Sequence, residues 1–463
     1  MHGTLGCQNG QAVCTGLSIA RWIVERHQGT IDVTSDIGES HHRRHDIRNE
    51  ALPQMPRDVW LLFVSRVTRL FAYGALSVVL VFYLTGLGLS EPQTGLLFTL
   101  TLAGDIVVSL FLTTVADRIG RRRVLIAGAL LMAAAGVAFA CTRNFLFLIL
   151  AGTVGVISPS GNEVGPFLSI EQAALSHIVP GRTRTTVFAW YTLAGSFATA
   201  MGSLCGGMLP GSLQGKGIAA LQSYRIVVVL YACLGVLLAL VFSWLSSAGE
   251  LSPSPSDPAE SSAKTSRFGV GPSRRVILNL SALFALDAFG GGFVVQSFAA
   301  YWFYLRFGVS PAALGAIFFG ANLFAGISAL LASRLASRFG LVRTMVFTHL
   351  PSNALLILVP LMPTRELAIA VLLLRFSISQ MDVPTRQSYV MAVVRPEERS
   401  AAAGITGVAR TIGASIAPWF VGMMFARPSL INLPFFLAGT LKIVYDLLLY
   451  RKFVSLRPPE ENS

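Results

Sequence analysis

The sequence predicts an all-α membrane protein: twelve transmembrane helices in two pseudo-symmetric six-helix bundles. Three observations predict it: a composition rich in apolar and poor in charged residues, about twelve apolar runs long enough to cross a bilayer, and a repeat that divides those runs six and six. Of 463 residues, 53% are hydrophobic and 13% charged, where soluble domains carry about 25% charged side chains. That much apolar surface cannot be hidden in one core. The same composition excludes a disordered chain and a collagen-like repeat, and five cysteines are too few for a disulfide-stapled secreted fold. Cys141, Cys205 and Cys233 lie in or beside apolar runs, and Cys7 and Cys14 lack a metal-ligand spacing. No cofactor and no metal site is expected.

A spanning helix takes about 20 mostly apolar residues. Runs of this kind cover 60–84, 94–114, 124–141, 145–176, 186–209, 225–245, 276–305, 312–332, 345–362, 367–394, 401–425 and 433–450. They lack the alternating pattern of about ten residues that marks a membrane barrel. The net charge of +13 raises nucleic acid as a partner, but its placement argues against one. Residues 1–57 hold six acids and six bases, so the excess lies entirely beyond them. One set of alternate loops holds Arg118, Arg121, Arg122 and Arg123, then Arg182, Arg184, Lys264, Arg267, Arg274, Arg275, Arg334, Arg338, Arg343, Arg395, Arg399, Arg451 and Lys452. The opposite set holds little more than Arg143, Lys216, Arg306, Arg365 and Arg427. The Lys/Arg rule makes the first set cytoplasmic and puts both termini inside, in a plasma or bacterial inner membrane.

Between the sixth and seventh runs, residues 246–275 are rich in proline and serine and read as a cytosolic linker joining bundles 57–245 and 276–453, with a short tail at 454–463. The bundles repeat. Residues 88–95 (GLSEPQTG) match 308–315 (GVSPAALG) at an offset of 220, and 116–120 (ADRIG) falls on 336–340 (ASRFG) at the same offset. Later, 202–207 (GSLCGG) falls on 417–422 (APWFVG) at an offset of 215. The first half therefore carries about five extra residues, most simply within 158–166 (SPSGNEVGP). Two parallel six-helix repeats are a transporter signature.

The segment Asp117, Arg118, Ile119, Gly120, Arg121, Arg122 resembles the loop signature G-x-x-x-D-R-x-G-R-[RK] of the major facilitator superfamily in spacing, loop number and sidedness, with Thr113 in place of the leading glycine. The resemblance covers about 57–452 and implies the major facilitator fold and secondary transport by alternating access. It implies a gating loop in which Asp117 caps a helix and pairs with an arginine while the cytoplasmic ends are together. Arginines that only anchor topology are the plainer alternative. Residues 202–207 are similar to the G-P-x-x-G-G element of proton-coupled antiporters in that family, with Ser203 for proline, and the eleventh run keeps Pro418 and Gly422. This leans toward efflux; close helix packing by Gly202, Gly206 and Gly207 needs no antiport.

Ionisable groups at bilayer depth are candidates for function by default. Asp105 sits near the middle of the second run, Glu163 and Glu171 flank the Gly-Pro break of the fourth, Asp287 precedes Gly290, Gly291 and Gly292, and Asp382 lies beside Arg386 and Gln387. A buried carboxyl can load and unload a proton during a conformational cycle. Arg66 and Arg69 align through the repeat with the neighbourhood of Asp287, which suggests an arginine–aspartate couple across the cavity; snorkelling to the interface is the alternative. The stretch 158–166 is the best pointer to a binding or gating break, since irregular backbone at depth survives only against protein or a water-filled cavity. An over-long helix with a cytosolic second half is the alternative. Gln296, Asn322, Asn353, Gln380, Tyr73 and Tyr191 are further polar candidates for the cavity wall.

Residues 1–56 form a non-membrane tail, expected to be largely disordered, with five of the seven histidines in residues 1–50. Residues 16–40 resemble the carboxyl-terminal end of a sensor histidine kinase ATPase domain, without the magnesium-binding helix or phosphoacceptor domain that would make it work. The expectation is a fused remnant or a start at Met55. The functional expectation is a monomeric secondary transporter in the lipid bilayer, not an enzyme, proton-coupled and leaning to efflux of a small organic molecule. A facilitator or importer of a polar solute, a sensor on the same scaffold and a kinase remnant with residual function are the alternatives. No G-x-x-x-x-G-K-[ST] loop exists to support ATP-driven pumping.

Overall fold

The computed structural model describes residues 56–162, 166–179, 181–246, 271–395, 398–454 and 456. All belong to a unit running from Met55 to Ser463. The kinase-like stretch, Glu163 and residues 247–270 of the expected linker lie outside the described residues.

Among the described residues there are fifteen α-helices: α1 (Arg57–Gly86), α2 (Glu91–Ile119), α3 (Arg121–Cys141), α4 (Phe145–Val154), α5 (Phe167–Ile178), α6 (Gly181–Gly215), α7 (Ala220–Ser243), α8 (Arg274–Gly292), α9 (Gln296–Phe307), α10 (Pro311–Phe339), α11 (Leu341–Leu358), α12 (Arg365–Phe376), α13 (Asp382–Val393), α14 (Arg399–Phe425) and α15 (Leu433–Phe453). Nine spans are long and apolar enough to cross a membrane, with α8 and α9 forming one of them. The other three expected spans also have helices in place. α6 is long, but glycines and hydroxyl side chains dilute its hydropathy. The fourth and tenth are each broken in two, as α4 with α5 and α12 with α13.

The helix ends repeat with the sequence. Ser90 caps α2 in a capping box with Gln93, and Ser310 caps α10 through Ala313, each with a proline in the first turn. Gly120 (φ 105°) and Gly340 (φ 85°) turn the chain between α2 and α3 and between α10 and α11, where a side chain would be strained. The glycine of the loop signature therefore has a backbone reason. Apolar side chains point outward as well as inward: Leu146 is 73% exposed and Phe147 63%. That inverts the soluble pattern and suits lipid contact.

The fourth span is broken, not over-long, and the break locates the extra residues. Phe145 and Phe167 begin its two helices 22 residues apart, and Arg365 and Asp382 begin those of the tenth 17 apart. The first copy is thus longer by five. The seventh span bends after its three glycines, where a Cβ on Gly290 would meet Lys442 Cγ at 3.1 Å and one on Gly292 would meet Ala414 O at 2.6 Å.

Within the first half α1 packs on α6 and α7, and α3 on α7; in the second α8 packs on α14 and α15, and α11 on α15. The halves join through α6 with α10, α2 with α14, and α9 with α1. Two of these seams are images of one another. A Cβ on Gly207 would lie 2.7 Å from Gly315 Cα, and one on Gly422 would lie 3.0 Å from Gly95 Cα. The offsets of 220 and 215 turn one pair into the other. Beside the second seam Phe298 packs tilted against Phe98 and edge-on against Phe425, with centroids 5.0 and 5.6 Å apart. These contacts lie toward the arginine-poor end. At the arginine-rich end, hydrogen bonds among the described residues include Ser246 donating to Asp58, Arg122 donating to the Ser243 carbonyl, and Gly271 and Ser273 donating to Glu398.

Two outcomes follow. A Cβ on Gly207 would meet Pro311 O at 2.3 Å, and one on Gly422 would meet Glu91 O at 2.3 Å. Such overpacking costs about 1–3 kcal/mol, so Gly207→Val and Gly422→Val each shift the population away from this closed end roughly 5- to 150-fold. A cysteine placed at the buried Thr94 then reacts faster with a membrane-impermeant thiol reagent, and unchanged labelling refutes the seam. The second outcome concerns Glu398. The Ser273 hydroxyl foremost, then the Gly271 and Ser273 amides, hold its carboxyl below the usual carboxylate range. A lowered pKa gives stability that is present above the ordinary carboxylate value and lost as pH falls through the lowered one. Melting temperature against pH should show that acid limb in the parent chain and lose it in Glu398→Gln.

Candidate functional site

Two clusters of buried charge lie at matching depth. Arg69 is the thirteenth residue of α1 and Asp287 the fourteenth of α8, so each is roughly 20 Å along its helix at 1.5 Å per residue. On α1 the outward face carries Trp60, Val64 and Val67, while Leu62, Ser65, Arg66, Arg69 and Tyr73 face inward. Polar inside and apolar outside is the helical period of a wall between lipid and a polar interior.

In the first half, Arg69 donates both ends of its fork to Glu171, Nη1 to Oε1 and Nη2 to Oε2, each at 2.7 Å. Both side chains are 0% exposed. Ser65 Oγ donates to Glu171 Oε1 at 2.7 Å, and the Tyr191 hydroxyl donates to Oε2. Arg69 stacks over Phe167 at 4.6 Å and Arg66 over Tyr191 at 4.4 Å. Glu171 stands on α5, so the break in the fourth span is what turns it toward α1.

In the second half, Asp287 accepts from Lys442 Nζ at 2.6 Å and Arg386 Nη1 at 3.3 Å, and Arg386 Nη1 also reaches Asp382 Oδ2 at 2.8 Å. His349 continues the chain, with Nε2 3.8 Å from Asp287 Oδ1 and Nδ1 2.8 Å from Asp446 Oδ1. Asn353 donates to Asp446 Oδ2 at 2.9 Å. The three glycines leave room for the Lys442 stem: a Cβ on Gly291 would sit 3.7 Å from Nζ. Linked carboxylates and an imidazole can pass a proton between helices.

The expected couple between Arg66 or Arg69 and Asp287 is not formed. Arg69 and Asp287 each pair within their own half, because a buried ion is compensated best by a neighbour already packed against it. Arg69 does not snorkel either. The repeat still shows: Glu171 and Arg386 are equivalent at the offset of 215, and each is the fifth residue of its helix. The cluster is the same in position and reversed in charge.

Between the clusters and the closed end, a polar latch joins the halves. Ser297 Oγ lies 2.7 Å from Ser77 O and 2.6 Å from Pro159 O, its one proton shared between the two carbonyls, and its backbone N–H reaches Pro159 O at 3.1 Å. Gln296 Nε2 donates to Ser77 Oγ at 2.8 Å and Ser203 Oγ at 2.9 Å, and Asn322 Nδ2 donates to Gln296 Oε1 at 3.0 Å. Ser77 and Ser297 are 220 residues apart, the repeat offset itself. Equivalent residues of a two-fold repeat meet only on its axis, so this bond marks the axis.

Asp105 is half-buried on α2 and accepts from Ser109 Oγ at 3.3 Å. Tyr73 is buried against Tyr231 at 6.3 Å, and Gln380 donates its backbone N–H to Ser328 Oγ. The side chains of Asp117 and Arg118 lie outside the described residues, so the gating pair is not seen; Arg122 ties α3 to α7 within one half. Gly202 and Gly206 press on α1, where a Cβ would meet Phe71 O at 2.1 Å and Ala75 O at 2.2 Å. The glycines of the antiporter-like element make close helix contacts.

Sequence reasoning passed over Lys442, Asp446 and His349. The signal was available: Lys442 and Asp446 stand four apart in the twelfth run and His349 lies inside the ninth. Searching the runs for basic side chains and histidine as well as acids would have found them.

A family model described as Major Facilitator Superfamily matches residues 62–418 and 280–463. An uncharacterized membrane protein of Saccharomyces cerevisiae (strain ATCC 204508 / S288c), YJR124C, is 32% identical over 425 residues, covering 86% of this chain and 95% of its own. Among solved structures, a bacterial homolog of the human lysosomal transporter Spinster, inward-facing and occupied, superposes with a TM-score of 0.65 at 18% identity, over 86% of this chain and 97% of that one. A D-xylose-proton symporter superposes with a TM-score of 0.64 at 14% identity, over 88% and 99%. At such identities the structures speak to the fold alone. The kinase-like resemblance of residues 16–40 finds no support in these comparisons.

Removing one partner of the first cluster should be costly. Glu171→Gln leaves Arg69 without its counter-charge and is expected to destabilise by about 3–5 kcal/mol. Arg69→Met combined with Glu171→Leu should recover most of that loss. Unfolding of the detergent-solubilised protein reads both, and equal losses in the single and double variants would overturn the pairing.

Proposed function

Since the chain belongs to the major facilitator superfamily, we propose that it is a proton-coupled secondary transporter that moves a small organic molecule by alternating access. The observation that carries this is the pair of buried charge clusters at one depth, one on each half, with the glycine seams that close the halves on each other lying toward the arginine-poor end. If the arginine-rich loops face the cytosol, as the Lys/Arg rule expects, that closed end is the outer one and the conformation is inward-facing. Opening would break the glycine seams and the Ser77–Ser297 latch while each cluster travels with its own half.

Proton coupling is supported by the chain Asp446, His349, Asp287, which joins three helices by contacts of 2.8 and 3.8 Å. Loading a proton on this chain would loosen the hold of Lys442 and Arg386 on Asp287. Export is the proposed direction. Its one support is the likeness of residues 202–207 to the antiporter element, and those glycines serve packing, so the sign of the proton flux decides it. The transporting unit proposed is a single chain with both termini cytosolic in the plasma membrane. Because a relative is a yeast protein, a fluorescent fusion of the full chain should be located before that membrane is assumed.

Purified protein in proteoliposomes with a trapped pH indicator gives the test. Adding a transported solute should move protons in the parent chain and not in Asp287→Asn or His349→Ala, while solute binding persists. Solute flux with no proton movement would leave a facilitator. The absence of any flux across a broad solute panel would leave a sensor.

A further inference from the structure

Arg375 occupies the last turn of α12, just before the break of the tenth span, and Arg410 lies on α14. Each is half-buried, and each has a buried Nε with no hydrogen-bond acceptor among the described residues. Neither has an ion pair there. Both stand within electrostatic range of Asp287 and Asp382, and Arg410 also feels the like charge of Arg386. The two aspartates are already engaged, Asp287 by Lys442 and Arg386 and Asp382 by Arg386. Arg386 itself has a buried Nη2 without an acceptor.

A guanidinium carries five donors and no acceptor, and burying its N–H groups unanswered is unfavourable. Setting His349 aside, Arg375, Arg386, Arg410 and Lys442 outnumber Asp287, Asp382 and Asp446 by one. A structural ion-pair network would balance its charges; this one leaves guanidinium donors over in the second half among the described residues. A cationic solute would need spare carboxylates, and a neutral one has no use for two unmatched arginines.

We infer that the solute is an organic anion, whose carboxylate, phosphate or sulfonate oxygens are held by Arg375 and Arg410. Planar, bidentate recognition of such groups is what arginine does better than lysine. This names the substrate class of the transporter proposed above and rests on that reading.

The experiment uses the purified full chain in detergent, with melting temperature as the readout. The probes are benzoate, phenyl phosphate and succinate against benzamide, benzylamine and succinamide. Anions should raise the melting temperature in a saturable way while the amides and the amine do not. Arg375→Gln and Arg410→Gln should each weaken the apparent affinity about 10- to 100-fold. Arg375→Lys and Arg410→Lys, which keep the charge and lose the fork, should fall between and cover the case in which a glutamine variant does not fold. Equal effects from amides or the amine, no effect from any anion, or full affinity in the arginine variants would overturn the inference. Anion binding without flux in proteoliposomes would keep the class and remove the transport reading; proton-coupled flux confined to benzamide or benzylamine would do the reverse.

Discussion

A charge removed from water must keep its counter-charge within reach, and that constraint divides this molecule into its moving parts. Arg69 with Glu171, Asp287 with Lys442 and Arg386, and His349 with Asp446 all pair inside one half. Breaking a buried pair costs about 3–5 kcal/mol, whereas a neutral hydrogen bond contributes about 0.5–1.5. No ion pair crosses between the halves among the described residues; what crosses is the hydrogen bonds of serine hydroxyls, of the Gln296 and Asn322 amides and of Tyr301 to Glu91, with glycine backbones in van der Waals contact. The plane of separation runs where separation is least expensive.

The repeat sharpens this. Its two copies agree in helix starts, caps and turns, from Ser90 and Ser310 to Gly120 and Gly340. They disagree in sign where charge is concentrated, Glu171 standing where the other copy has Arg386. A symmetric scaffold thus holds an antisymmetric electrostatic pattern.

The fold was legible because its signals are long and redundant: twelve apolar runs, a loop signature, and two matched offsets that also placed the five extra residues. The clusters were half legible. Glu171, Asp287 and Asp382 stood out as acids at depth, but their partners depend on the rotation and tilt of helices, which no run of apolar residues encodes. Hence the couple expected between Arg69 and Asp287 gave way to two separate pairings. Arg375, Arg410 and Lys442 were written in the runs as plainly as the acids; long basic side chains are easily credited to the interface, and only their burial shows otherwise. The glycines of 202–207 show the reverse case, a pattern that suggests coupling chemistry and serves close approach.

The longer break of the fourth span has a mechanical meaning. Its Pro159 carbonyl receives both the Oγ and the backbone N–H of Ser297 from the other half. The shorter break at 377–381 sends no hydrogen bond across among the described residues; Gln380 turns back to Ser328 in its own half. The five additional residues therefore make a bolt on one leaf of a double door that the matching leaf lacks. Of the two span breaks, a solute or a substitution that disturbs residues 158–161 therefore acts on opening from one side only.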